Sequence, residues 1–394
     1  MRPKPHPGER SGRPVRPLVL AFAAILLTPT APALALVPSN VIPSMVGSLA
    51  SELVQRAVDS LEAGGGPARG APASCMGVTS NEPTCAFGPP PPVNYSWTEL
   101  SSAGGPSPRD QMAMTYDPTD GEVVAFGGCG YNCTLGETWV YSNSTWTNLT
   151  GKTGHAPSGR TNPSMTYDYL DGYVLLFGGI NQTGFLQDTW GFVENQWVRL
   201  FPGEVGAVPP ARFGASLTYD VSDGYVLMFG GGGFFEGRTV LNDTWSYAGG
   251  KWTEVCLRCL PTGRLDASMA YNAAQGTVIL FGGELYGNVA GDTWSYHAGV
   301  WTQLHPNAAP PRREGAVMVY DTALGELVLF GGFGKTGFYS DTWALGNGTW
   351  HRVNVSGPPA RSFAAAAYLP GPGEVVVFGG WDLSALYGDY WAFT

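Results

Sequence analysis

Basic residues are scarce. The chain carries 21 Lys plus Arg against 31 Asp plus Glu, a formal net charge of −10 over 394 residues. A nucleic-acid binder needs a basic stripe, and no such stripe is present, so nucleic acid is excluded as a partner. Histidine is rarer still, with five in all. One of them, His6, lies in the leader; the other four are His155, His297, His305 and His351. No H-E-x-x-H, G-x-S-x-G or P-loop motif occurs, which removes the commonest hydrolase and nucleotide-binding classes. Long hydrophobic runs are missing too. The apolar stretch "LVLAFAAILL" (18–27) is too short to span a bilayer, so no stable membrane span is expected once a leader is removed.

That apolar stretch reads as the core of a secretory signal. Arg2, Lys4, Arg10, Arg13 and Arg16 precede it, and Ala33-Leu34-Ala35 follows as an A-x-A cleavage site. Residues 1–35 are therefore expected to be a signal peptide, and the mature chain is expected to be secreted or held at the cell surface. The alternative is an uncleaved anchor. The six cysteines fall as close pairs, Cys75/Cys85, Cys129/Cys133 and Cys256/Cys259, which an oxidising compartment would turn into three local disulfides. A zinc site from the last four is disfavoured, because no His keeps ligand spacing with them. Eight N-x-S/T sequons start at Asn94, Asn132, Asn143, Asn148, Asn181, Asn242, Asn347 and Asn354. In a glycosylating host they would be surface sites.

What is abundant is glycine (56) and tryptophan (13), a mix that points to short strands joined by Gly-rich turns. An aliphatic run ending in Phe-Gly-Gly occurs six times, with first glycines Gly127, Gly178, Gly230, Gly282, Gly331 and Gly379. Their separations are 51, 52, 52, 49 and 48 residues. A Tyr stands 11 residues before each of these glycines, and an Arg stands seven before each Tyr: Arg109, Arg160, Arg212, Arg264, Arg313 and Arg361. After each glycine pair come an acidic residue, one further residue and Trp, as in "DTW" (188–190). In the first five units a second Trp follows seven residues later. Each unit thus predicts four antiparallel strands, named a to d here, with c and d joined by a tight hairpin. The b strands are apolar throughout and are expected to be buried on both faces.

The sixth unit ends with Trp391 on strand c and has no strand d. "YSWTEL" (95–100) has the cadence of a strand d with no strand c before it. Strand 95–100 is therefore expected to complete the last blade and close the ring, which removes the free edge.

The glycine pairs, the Asp-x-Trp and the strand-d Trp resemble kelch repeats, and the period of about 50 suits that family. The resemblance covers residues 95–394. It implies an all-β, six-bladed β-propeller of four-stranded antiparallel blades, expected to be monomeric. One departure is visible: many kelch repeats carry His three residues after the Arg, where this chain has Met112, Pro163, Ala215, Ala267, Ala316 and Ala364. Three regions are therefore expected: the signal peptide (1–35), a segment with an amphipathic helix at 43–63, a Cys loop and a Pro-rich linker (36–91), and the propeller (92–394).

Length variation is confined to the b–c and d–a connections, which in kelch-like propellers emerge on one face. Loops on a rigid scaffold carry function, so that face is the candidate site. Its irregularities gather at blade 3, where "GGFFEGRTVLN" (232–242) is longer than the other b–c loops. Phe234, Phe235, Glu236 and Arg238 are the leading candidates. Glu284, Tyr286, Phe338, Tyr339, Trp381 and Tyr387 are further candidates on that face. Glycans at Asn132 and Asn181 would crowd blades 1 and 2 and leave blades 3–5 open. The six repeat Arg have two readings, a cationic ring for acidic ligands or structural pairs with the acidic residue of each Asp-x-Trp; the second is preferred.

The functional expectation is a module that binds an extracellular protein or glycan, without cofactor or metal. The alternative is a carbohydrate-active enzyme, similar to a periplasmic sialic-acid mutarotase with the same fold, using Glu236 or Glu284 with Arg238. A copper oxidase resembling galactose oxidase is disfavoured, because Tyr296-His297 falls on the opposite face.

Overall fold

The computed structural model describes residues 94–131, 133–200, 208–235, 238–256 and 260–394. The expected helix at 43–63, the signal peptide, Cys75 and Cys85 lie outside these residues. No helix occurs among the described residues; the chain is built from antiparallel strands.

Blade 1 runs through strands Ala113–Asp117, Glu122–Phe126, Thr138–Ser142 and Thr145–Asn148, hydrogen-bonded in that order. Blades 2 to 5 repeat it, with outer strands Gln196–Leu200, Lys251–Cys256, Val300–Leu304 and Thr349–Val353. Blade 6 takes Ala365–Leu369, Glu374–Phe378 and Tyr390–Phe393, and its fourth strand is Trp97–Leu100 from the other end of the chain. Trp97 pairs with Phe393 and Leu100 with Tyr390, so the ring is closed by the strand that the sequence left unpartnered.

The b strands form the floor of every blade. Val174, Leu175, Leu176 and Phe177 are fully buried, as are their counterparts in the other blades. Alternate residues face opposite sides of a sheet, and each side packs against a neighbouring blade, so neither face meets water. The strand-d Trp of one blade reaches back to the blade before it. Trp252 meets Phe177 at 5.1 Å between ring centroids, and its Nε1 donates to Thr189 Oγ1 at 3.0 Å. Trp97, Trp197, Trp301 and Trp350 make the same bond to Thr342, Thr138, Thr244 and Thr293. The middle residue of "DTW" is thus the acceptor for the next blade. Blade 6 has Tyr390 in that place. Trp146 packs edge-on against Tyr390, and its buried Nε1 has no protein partner.

The glycine pairs mark where blades meet. Gly230 has φ +67°, and a Cβ there would lie 2.4 Å from the carbonyl oxygen of Arg264 in the next blade. Only glycine tolerates both the left-handed backbone and that approach. The following residue, Gly231, donates its N–H to the same carbonyl at 2.9 Å. All six junctions share this contact, including Gly380 to Arg109, which joins the last blade to the first.

Candidate functional site

Each repeat Arg starts beside the channel at the b–c/d–a face and turns inward into its own blade. Arg212 is fully buried. It donates through Nε to the Pro210 carbonyl, through Nη1 to the Gly230 carbonyl, and through both terminal nitrogens to Asp243 at 2.7 and 2.6 Å. Arg160, Arg264, Arg313 and Arg361 hold Asp188, Asp292, Asp341 and Asp389 through the same two-pronged contact. Arg109 makes a single contact to Glu137, whose side chain is one methylene longer. The strand-c Trp adds a third bond to each of the five aspartates, for example Trp190 Nε1 to Asp188 at 2.7 Å, and a second to Glu137. Burial alone would raise these carboxyls. The Arg and Trp hydrogen bonds outweigh it and hold Asp188, Asp292, Asp341 and Asp389 below the usual carboxylate range. Guanidinium groups spent in this way are not available to an acidic ligand.

Two residues beyond each Arg lies a ring that the sequence does not announce. Gln111, Asn162, Gly214, Asp266, Gly315 and Phe363 all have left-handed backbones, with φ between 53° and 60°. Each donates its backbone N–H to the carbonyl of the equivalent residue in the preceding blade: Asn162 to Gln111, Gly214 to Asn162, Asp266 to Gly214, Gly315 to Asp266, Phe363 to Gly315 and Gln111 to Phe363. The six bonds, 2.8–3.1 Å long, close a circle about the propeller axis. The side chains of this circle line the throat, and no two neighbours are alike. A Cβ on Gly214 would strike Asp266, whose Oδ1 accepts a 2.6 Å bond from Asn162 Nδ2 across the gap. A Cβ on Gly315 would strike the ring of Phe363. The two glycines are therefore the spaces into which neighbouring side chains fold.

Acidic groups gather on one side of this throat. Burial pushes Asp266 up to about 7; the bond from Asn162 opposes the rise, while the charges of Glu314 and Glu284 add to it. Asp266 keeps some accessible surface along the channel, but protein surrounds it closely enough for desolvation to dominate. Burial, and then the charge of Glu284, raise Glu314 to about 7 as well. On blade 1, burial raises Asp110 to about 6, and its Oδ1 has no protein partner. Among the described residues no cluster is placed to hold a metal ion.

The candidates from sequence fall into three groups. Glu284 pairs with Leu265 beside the throat and joins Asp266 and Glu314 in the acidic cluster. Tyr286 is 86 % exposed at the tip of its loop. The other aromatics pack locally: Tyr339 and Tyr387 lie 4.0 Å under the guanidinium groups of Arg313 and Arg361, and Phe338 meets Trp381 edge-on at 5.4 Å. At blade 3 the backbones of Gly232–Phe235 and Arg238–Val240 form a small hairpin in which Phe235 pairs with Arg238. Glu236 and the side chains of Phe234, Phe235 and Arg238 lie outside the described residues. Cys129 and Cys133 form a disulfide in the blade 1 loop. Cys256 is also disulfide-bonded, and Cys259 lies outside the described residues.

Asp266 and Glu314 were missed from sequence, as was Tyr131, 90 % exposed on the blade 1 loop. For Asp266 and Glu314 the signal available was divergence: the two positions after each Arg hold six and five residue types in six slots, whereas the third is Ala in four of the six.

The model of the KLHDC2/KLHL20/DRC7 Kelch-repeats domain matches residues 92–258 and 249–394. This chain belongs to the kelch-repeat family. No curated protein matches this kelch chain by sequence. Among solved structures it is similar to one titled "Structure of YjhT", with a TM-score of 0.54, 16 % identity, 72 % of this chain covered and 94 % of the other. At that identity the likeness speaks to fold.

Proposed function

We propose that this kelch propeller is an exported binding module that grips a protein partner on its b–c/d–a face. One observation carries the reading. Among the described residues eight large apolar side chains are exposed, and six of them, Tyr131, Phe185, Val208, Leu260, Tyr286 and Leu383, sit on b–c or d–a connections. Exposed apolar groups concentrated on one face favour association. The carboxylates at the centre of that face suit a partner that presents a basic or hydrogen-bond-donating group to the throat. The test is binding of the purified full chain to a displayed peptide library and to a glycan array, beside Tyr131→Ala/Tyr286→Ala. Saturable peptide binding lost in the double variant supports the reading. Binding that survives it removes this face, and selective sugar binding makes the partner a glycan.

The acidic cluster favours a second reading, a carbohydrate-active enzyme. Carboxyl groups raised towards neutrality are suited to proton transfer. Anomer interconversion or hydrolysis of a sugar, lost in Glu284→Ala and in Glu314→Gln, would establish it. Progress curves indistinguishable from buffer across a sugar panel would remove it.

A further inference from the structure

The sequons that the fold exposes are not scattered. Asn94, Asn143, Asn148, Asn347 and Asn354 are exposed. Asn94 precedes the outer strand of blade 6 by three residues. Asn143 lies in the c–d turn of blade 1, and Asn148 ends its outer strand. Asn347 lies in the c–d turn of blade 5, and Asn354 directly follows its outer strand. Closure of the ring by Trp97–Leu100 makes blades 5, 6 and 1 consecutive, so residues from opposite ends of the chain share one arc of the outer wall. Among the described residues the outer walls of blades 2, 3 and 4 carry no exposed sequon. The other two described sequons differ in setting. Asn181 is half-buried in a b–c loop, donates to Ser158 Oγ and accepts from Thr183. Asn242 is half-buried next to Asp243, the partner of Arg212.

We propose that the outer wall of blades 5, 6 and 1 is an N-glycosylated arc, with Asn94, Asn143, Asn148, Asn347 and Asn354 as acceptors and the wall of blades 2–4 left bare. The step is a group transfer from a lipid-linked glycan. Asn Nδ2 forms a C–N bond to the anomeric carbon, the bond from that carbon to the lipid phosphate oxygen breaks, and the phosphate leaves with the electron pair while Nδ2 gives one proton to solvent. A folded chain keeps such a group only where it projects into water, which these five positions allow. The arc also has something to shield. An outer strand is the unpaired edge of its sheet, and that of blade 1, "TWTN", carries no charge to discourage edge-to-edge pairing. It has a sequon residue at its end and another two residues before its start. On the bare wall, Val198 and Val300 stand 47 % and 62 % exposed.

The inference rests on the export reading, and the test separates the two. The full chain is produced in a host that N-glycosylates exported proteins. Medium and cells are collected, and each Asn is scored by peptide mass spectrometry after enzymatic deglycosylation in isotopically labelled water. Secreted chain labelled at Asn143 and Asn347 together with sites of blade 6 or the remaining arc positions is the expected result. Substituting all five by Gln should collapse the heterogeneous electrophoretic band of the secreted chain to one species. Secreted chain that is unlabelled, or labelled only at Asn132, Asn181 or Asn242, overturns the arc while leaving export standing. Chain found only inside the cell and unmodified overturns both.

Discussion

The Arg of each repeat and the residue two places after it sit side by side, yet they obey different rules. At the first position all six blades use one side chain for one task, a buried guanidinium joined to a carboxylate and to the carbonyl of the glycine pair. At the second position six blades share a backbone geometry and a hydrogen-bonded ring, while the side chains are Gln, Asn, Gly, Asp, Gly and Phe. The frame is repeated because every blade must meet the next in the same way. The throat is free to vary because its backbone, not its side chains, closes the circle. Conserved geometry with divergent chemistry is where a scaffold becomes specific.

Experiments that break the frame should be the most damaging. Arg212→Ala strands a buried Asp243 carboxylate and is expected to cost about 3–5 kcal/mol, read as a lower denaturant midpoint at unchanged m-value. Gly230→Ala forces φ +67° on a residue with a Cβ and drives it into the Arg264 carbonyl. A loss of at least about 1–3 kcal/mol is expected from the backbone alone. Thr189→Val removes the acceptor of the buried Trp252 Nε1 and should cost about 1–2 kcal/mol by thermal or urea unfolding. The natural absence of that acceptor for Trp146 gives an internal comparison. Tyr390→Phe, which removes a buried hydroxyl without a protein partner, should cost less than Thr189→Val does.

The two carboxylate populations should also part company in pH. Burial acts to raise Asp188, Asp292, Asp341 and Asp389, but the Arg and Trp bonds hold them below the ordinary carboxylate value near 4. Their contribution is complete above that value and is lost as pH falls through the lowered folded pKa. Asp266 is raised to about 7, so it has the opposite sign: stability is greatest where it is protonated and declines as pH rises from about 4 through about 7. Asp266→Asn, which keeps an acceptor for Asn162, should make that decline shallower between about pH 5 and about pH 8, with the share of Glu314 and the other raised carboxyls remaining, and leave the acid limb untouched. An unchanged slope would show that Asp266 is not the group responsible. The smallest effect on folding is expected at the rim. Tyr131→Ala and Tyr286→Ala should each lie within about 0.5 kcal/mol of the parent, while weakening partner binding if this face is the grip.

Much of the frame was legible because its signals are local and repeated. The Arg-to-Tyr and Tyr-to-Gly spacings do not change, and a strand-d Trp without its strand c pointed to the closing strand. The Arg–carboxylate pairing followed from one charge of each sign per blade. The bond from the next blade's Trp to the Thr of "DTW" was not read, since the residues lie 57 to 63 apart in consecutive blades, or 245 across the closure. The aromatic candidates were chosen for residue type, and type does not tell Tyr286, which faces solvent, from Tyr387, which covers Arg361.

By itself, then, the sequence determined the number of blades, their strand order and how the ring shuts, because spacing and hydrophobic pattern act over a few residues and recur six times. Tertiary structure alone decided which side chains share the throat and which sequons share a wall. Both depend on ring closure, which brings residues a repeat or a whole chain apart to the same place. No pattern within one repeat records what stands beside it in the next.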